Sequence, residues 1–236
     1  MVLVVVGDFD PERLMKLIRD NQAAKDFAAQ AVIERHFPEE PPTIASPYSE
    51  MAMPIAKPLC MIGFKERELG LTGHDLVRRD LTTRIMMDTV FGKSSDLYQE
   101  LDDAGLIDPS FGFDYESSLG FSFAYVGGET EAPEQLIARL KAGIAKVKRE
   151  GISEAAFNRT RNRKIGEFLR VFNSPEHLSY EFTSYLFQEA DLFQVPTLME
   201  GISVADGMQR LEELFDESVM TVSLVKPSEV KEPAAV

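Results

Sequence analysis

Apolar positions along the chain follow two different periods. Residues 2–6 form an unbroken aliphatic run, the pattern of a strand buried on both faces. Gly7-Asp8 turns the run. Asp10 followed by Pro11 then marks a helix start, a capping carboxylate before a residue with no N–H to satisfy. Leu14, Leu17, Ile18 and Asn21 fall on one face of that helix. From 37 to 58 the periodicity lapses into Pro38, Pro41, Pro42, Pro47, Pro54 and Pro58, which reads as a linker. A strand pattern returns at 59–64. Val77, Leu81 and Ile85, spaced by four, predict a helix over 72–91 that Gly92 ends, and a short helix follows Ser95 and stops at Gly105.

Alternation is clearest over 110–128. Phe111, Phe113 and Tyr115 alternate with small or polar residues, Ser117-Ser118-Leu119-Gly120 supplies a turn, and Phe121, Phe123 and Tyr125 alternate in return. This predicts an antiparallel hairpin with six rings on one face. The rings are expected to pack beneath helices; a ligand-binding aromatic surface is the alternative. Three helical stretches follow. The first carries Leu136, Leu140, Ile144 and Val147 and ends at Gly151. The second is capped by Ser153 and carries Phe157, Ile165, Phe168 and Phe172. The third starts at Ser174-Pro175 and carries Leu178, Phe182 and Leu186. A last helix after Ser203 leads into a strand at 219–225 that Pro227 ends. The fold class is therefore α+β, a mainly antiparallel sheet covered by helices on one side. Residues 1–35 read as the tail end of a preceding domain, 36–58 as a Pro-rich linker, 59–227 as the main domain and 228–236 as a frayed tail. A strand as apolar as 2–6 at the very start looks cut from something larger. Its likeness to 219–225, each closing a unit, hints at a tandem duplication whose first copy is mostly missing.

Composition narrows the chemistry. The chain has 236 residues, 44% of them hydrophobic and 27% charged, enough for a substantial core and a normal solvated surface. The single cysteine excludes an intrachain disulfide framework and fits a reducing, cytoplasmic compartment. Cys60 lies in the apolar run Leu59-Cys60-Met61-Ile62 and reads as a buried, inert thiol. No apolar stretch approaches the roughly 18–20 residues of a membrane span, and the N-terminus lacks the basic region of a signal peptide. The formal net charge of −14 argues against nucleic acid as a partner. It leaves room for an acidic cavity that takes basic peptides, although a solvated acidic surface explains it more simply.

Familiar motifs fail on context. Gly92-Lys93-Ser94 ends a helix, whereas a phosphate loop opens one, and position 87 is Met87 where that motif needs glycine. Ser122 lies inside an alternating strand, not on the sharp strand-to-helix turn of a nucleophile elbow. The turn after residues 2–6 has one glycine, not the three of a dinucleotide fingerprint. His36, His74 and His177 are too far apart in sequence to present a paired metal-ligand face on a helix.

Taken together, several segments resemble one family. Val4-Val5-Val6-Gly7-Asp8-Phe9-Asp10-Pro11-Glu12 resembles the strand–turn–helix that closes the N-terminal domain in the pitrilysin/insulinase family of zinc metallopeptidases. Phe91-Gly92-Lys93-Ser94-Ser95-Asp96-Leu97-Tyr98-Gln99-Glu100-Leu101, followed by Gly105-Leu106-Ile107, resembles the small-Ser-x-Leu-x-x-x-Leu segment of the family's second domain. Gly127-Gly128-Glu129-Thr130, the helix after Pro133, the Ser153 to Phe157 stretch and the terminal strand continue the match. It is closest to a bacterial zinc-protease-like branch, parts of which are associated with elongation factor P modification. The resemblance implies a pitrilysin-type second domain over 59–227, the end of a homologous first domain over 1–35, and a partner in the N-terminal zinc-binding domain of the same protein. The family's zinc site, an inverted H-x-x-E-H motif, lies in that first domain and has no counterpart here, so zinc is expected in the missing half and this chain alone is expected to be inactive. The implied function is the substrate-enclosing half of a peptide-hydrolysing enzyme; the alternative is a non-catalytic partner or assembly subunit, as a homo- or hetero-dimer. In the family an Arg and a Tyr contact the peptide from the segment matched by residues 101–108. The Arg position falls on Asp102 and the Tyr position on Ile107 or Asp108, so neither residue type is kept. Tyr98, Asp102, Ile107 and Asp108 are thus the candidate substrate contacts.

Overall fold

The computed structural model describes residues 2–28, 31, 34, 36, 38–118 and 120–228. The elements in order are α1 (Pro11–Ala23), β1 (Tyr48–Met53), β2 (Leu59–Lys65), α2 (Gly73–Phe91), α3 (Asp96–Asp103), β3 (Gly112–Ser117), β4 (Ser122–Glu129), α4 (Pro133–Glu150), α5 (Glu154–Leu169), α6 (Pro175–Phe187), α7 (Val195–Glu200), α8 (Val204–Leu214) and β5 (Met220–Pro227). The strands form one sheet in the order β1-β5-β2-β4-β3. β5, last in sequence, lies near the middle, antiparallel to β2 and parallel to β1. The remaining pairings are antiparallel, as the α+β reading requires.

One face of the sheet is covered by helices. Cys60, Ile62 and Phe64 of β2, Ala124 and Val126 of β4, Tyr115 of β3, and Val222 and Leu224 of β5 are all buried there. The helices meet them with stripes at spacings of three and four. Leu136, Leu140 and Ile144 of α4 and Leu211 and Leu214 of α8 are buried, whereas α2 is buried around most of its circumference and forms the centre of the layer. Phe64, Phe91, Phe113 and Phe215 join through ring contacts of 4.6, 5.5 and 6.0 Å. Caps fall where polar residues predict them: Asp10 accepts from the Glu12 and Arg13 N–H groups, Ser153 from Ala156, and Ser203 and Asp206 form a capping box. Among the described residues no helix is long and apolar enough to cross a membrane.

Three expectations change. Residues 2–6 are not a strand: no described strand pairs with them, and Val2, Leu3 and Val5 are 44, 67 and 43% exposed. Aliphatic character sets what a strand would bury, but a strand forms only where an edge receives it. α1 forms as its cap predicts and buries no residue. The second change is β1, inside the stretch read as linker. Pro47 and Pro54 flank it and it runs along the sheet edge exposed throughout, so burial imposed no alternation on Tyr-Ser-Glu-Met-Ala-Met. The third concerns the hairpin. β3 pairs Tyr115 with Ala124 and Phe113 with Val126, which sends those two rings to the helix side and Phe121, Phe123 and Tyr125 to the open side. The tail read as frayed lies outside the described residues beyond Ser228.

Candidate functional site

Of the four candidate contacts, three are held by the fold itself. Tyr98 is half-buried on α3, its ring edge-on to Phe111 at 5.8 Å. Ile107 belongs to the core, 9% exposed. Asp108 accepts from the Ser110 hydroxyl at 2.6 Å, the Ser110 N–H at 2.9 Å and Lys57 Nζ at 3.2 Å, and these donors, in that order of Ser110 before Lys57, hold its carboxyl below the usual range. Ser110 Oγ in turn accepts from the Glu129 N–H at 2.8 Å, so Asp108 pins the connection between α3 and β3 onto the end of β4. Asp102 alone stands free at the surface. The four share one connection, but line none of the cavities described below.

The open face of the sheet is the larger concave surface. Residues 38–46 pass over its end like a strap. Lys65 is paired with Glu40 and donates to the Thr43 carbonyl at 3.0 Å; Thr221 Oγ1 donates to the Ser46 carbonyl at 2.8 Å, and the Val222 N–H to Pro47 at 3.0 Å. Between strap and sheet lies a cleft of about 1000 Å³ whose walls include Ile44, Gly63, Lys65, Phe121, Phe123 and Thr221. Phe121 and Phe123 stack at 6.2 Å and remain 49 and 37% exposed, and Tyr125 continues the row at 6.2 Å from Phe123. Glu116 stands opposite Phe123 on β3 and is exposed. The cleft thus offers aromatic walls to an apolar side chain, while Glu40 neutralises its one lysine and Glu116 leaves an acidic rim.

Behind the sheet, on the helix side, is a polar cluster that the sequence reading missed. Arg210 of α8 is ion-paired with Glu66 just after β2, donates from Nε to Thr83 Oγ1 at 2.7 Å, and lies over the Tyr115 ring at 5.5 Å. The Tyr115 hydroxyl donates to Glu66 at 3.2 Å. Glu66 and Arg210 are each only 4% exposed. Burial pushes the Glu66 carboxyl up, but the hydrogen bond and charge of Arg210, with Arg79 beside it, outweigh burial and hold it low. A signal existed: Glu66 continues the inward parity of Cys60, Ile62 and Phe64, and Arg210 sits on the stripe of Gly207, Leu211 and Leu214.

The described side chains do not fit a zinc ion. Among the described residues no group of three or more His, Cys, Asp or Glu could hold a metal. His74 Nε2 faces the Asp191 N–H at 3.4 Å, and His36 is exposed, 3.8 Å from Glu34. Burial pushes the Cys60 thiol up to about 11, so it is no nucleophile at neutral pH.

Residues 1–164 match the family described as the peptidase M16 inactive domain. The "uncharacterized zinc protease YmfH" of Bacillus subtilis (strain 168) is 33% identical over 227 residues, covering 96% of this chain and 53% of the relative. The crystal structure of an M16-like peptidase from Alicyclobacillus acidocaldarius superposes with a TM-score of 0.87 at 33% identity, covering 93% of this chain and 52% of that one. A protease from Helicobacter pylori shares the fold, with a TM-score of 0.78 at 19% identity over 94% of this chain and 54% of that one. The chain therefore spans about half the length of each of these three relatives.

Proposed function

Because the chain belongs to the M16 peptidase family, the pitrilysin/insulinase family, as its inactive domain, we propose that it is the substrate-enclosing half of a two-half zinc peptidase. The zinc ion and the residues that activate water belong to the other half in this reading, and this half contributes surface. The observation that carries it is the asymmetry of the sheet. One face is sealed by helices, while the other keeps Phe121, Phe123 and the cleft beneath the strap open to whatever lies opposite. A peptide crossing that face would rest apolar side chains on the aromatic row, with basic neighbours favoured by Glu116.

The kinetics of the whole two-half protein test this. Phe123→Ala should raise KM for peptides bearing apolar side chains by about fivefold, the loss of about 1 kcal/mol of apolar contact, with little change in kcat. An unchanged KM for every peptide in a mixed library rejects the reading. The second reading, a non-catalytic partner subunit, is favoured by the segment 101–108, where Asp108 is committed to Ser110 and Lys57 and Ile107 to the core. A whole protein that binds zinc yet cleaves no peptide supports that second reading.

A further inference from the structure

Gly63 stands where a strand has little reason to carry glycine. β2 is bonded on both sides, and Gly63 pairs with Tyr125 of β4 and Thr221 of β5. Glycine weakens the interior of such a strand, because it has more backbone freedom to lose and no side chain to pack. A positive φ, or a neighbour too close for a Cβ, can offset that cost. The adjacent β4 shows the second case: a Cβ on Gly127 would strike the Cys60 carbonyl, and one on Gly128 would lie 2.8 Å from Phe111 Cα. Gly63 shows neither. Its φ is not positive. Among the described residues, a Cβ there would meet only the Thr221 Cγ2 methyl at 3.3 Å and the Ala124 carbonyl oxygen at 3.8 Å. The first is a tight contact that a small shift of the methyl relieves.

The fold therefore accommodates a side chain at this position, and what glycine supplies is room on the open face. β2 alternates, so Gly63 turns to that face between Met61 and Lys65. Thr221 and Tyr125 flank it across the sheet, which leaves a depression one residue wide in the floor of the cleft beneath the strap. Thr221, held through its hydroxyl to the Ser46 carbonyl, turns its methyl toward the same space. Ile44 and Phe123 add apolar wall. The charges in the lining are committed: Lys65 to Glu40, and Glu66 to Arg210 behind the sheet. A charged side chain entering there would lose water without gaining a counter-charge, whereas an apolar one would gain by leaving water.

We propose that Gly63 determines specificity as the floor of a pocket that takes one large apolar side chain, of leucine to phenylalanine size, from a bound peptide. The role rests on the substrate-enclosing reading, and it names the side chain that the open face selects. A phenylalanine ring would lie on the Gly63 backbone, against Phe123 and the Thr221 methyl and under Ile44. An alanine side chain is too short to reach these walls.

The test is titration of the 236-residue chain, isotope-labelled at its isoleucine and threonine methyl groups, followed by nuclear magnetic resonance. The probes are short blocked peptides of glycine, alike except for one central Ala, Leu or Phe. Saturable shifts of the Ile44 and Thr221 methyls are expected, with the Phe peptide at least about tenfold tighter than the Ala peptide. Gly63→Val puts a residue favoured in strands on the floor of the pocket. It should weaken the Phe peptide about tenfold or more while changing the Ala peptide by less than about twofold. Gly63→Ala adds a single carbon and should give a smaller loss of the same kind, about threefold, so the test survives if the valine variant folds poorly. Equal affinity for the Phe and Ala peptides, no saturable shift with the Phe peptide, or a Phe affinity unchanged in the folded variants overturns the proposal. Size selectivity here with an unchanged KM for Phe123→Ala in the whole protein keeps the pocket and rejects its role in peptide hydrolysis. A raised KM there without size selectivity here rejects the pocket alone.

Discussion

Replacing Arg210 by Met should convert the most buried ion pair among the described residues into a costly defect. Met fills much of the same volume, so the loss is mainly electrostatic. Glu66 would keep its place at 4% exposure without the guanidinium that offsets its desolvation. Breaking one side of such a pair costs about 3–5 kcal/mol, a large part of a domain stability of about 5–15 kcal/mol. Removing both charges in Glu66→Gln with Arg210→Met should cost clearly less than the sum of the single changes, because no uncompensated charge remains. Thr83 and Tyr115 would still lose a partner, so the double variant should not return fully to parent stability.

The pH dependence carries a sign that packing damage alone does not produce. In the parent, the folded-state pKa of Glu66 lies below the ordinary glutamate value of 4.5. The pair's contribution is therefore complete above that value and fades as pH falls through the folded pKa. In Arg210→Met, burial acts without its counterweight and raises the folded pKa above the unfolded one. The buried carboxyl then holds its proton more tightly than the unfolded chain does, so this contribution falls as pH rises between the two values. Urea unfolding of both proteins at pH 5 and pH 7 measures it: the deficit of the variant should be larger at pH 7. A deficit below about 1 kcal/mol, or one identical at the two pH values, refutes the buried-pair reasoning.

Two further outcomes follow from burial. Cys60, fully buried with its thiol pushed up to about 11, should resist alkylation by iodoacetamide in the folded protein and react at once in denaturant; stoichiometric labelling of the folded chain by mass spectrometry contradicts this. Because α1 buries no residue, removal of residues 1–35 should leave the cooperative melt of the remainder within about 1 kcal/mol, supporting a domain boundary there; loss of the cooperative transition places the boundary elsewhere.

Legibility followed burial. Elements with one sealed face wrote their period into the sequence: Leu136, Leu140 and Ile144 announced α4, and Cys60, Ile62 and Phe64 announced β2. β1 escaped because an edge strand exposed on both faces has no period to show, and its prolines spoke for a linker. Residues 2–6 misled in the opposite way, since apolar character alone does not provide a neighbouring edge. The hairpin was visible, but its parity across the turn was not. Pairing register, which sequence alternation leaves open through a loop, sent Phe121 and Phe123 to the open face. The buried Glu66–Arg210 pair was unreadable as a pair because its members are 144 residues apart, although each stood at an inward position of its own element. The family resemblance led to residues 101–108, yet the fold uses Asp108 and Ile107 for its own connections.

Photo-crosslinking tests the substrate-enclosing role most directly. A peptide carrying benzoylphenylalanine beside a lysine would be bound to the whole two-half protein, with the water-activating residue of the other half disabled so that the peptide persists. After irradiation, digestion and mass spectrometry locate the adduct. The expected result is crosslinking to Phe121 and Phe123 and to the strap at 38–46, which wall the open-face cleft. Adducts confined to the other half, with none on this chain at saturating peptide, contradict it.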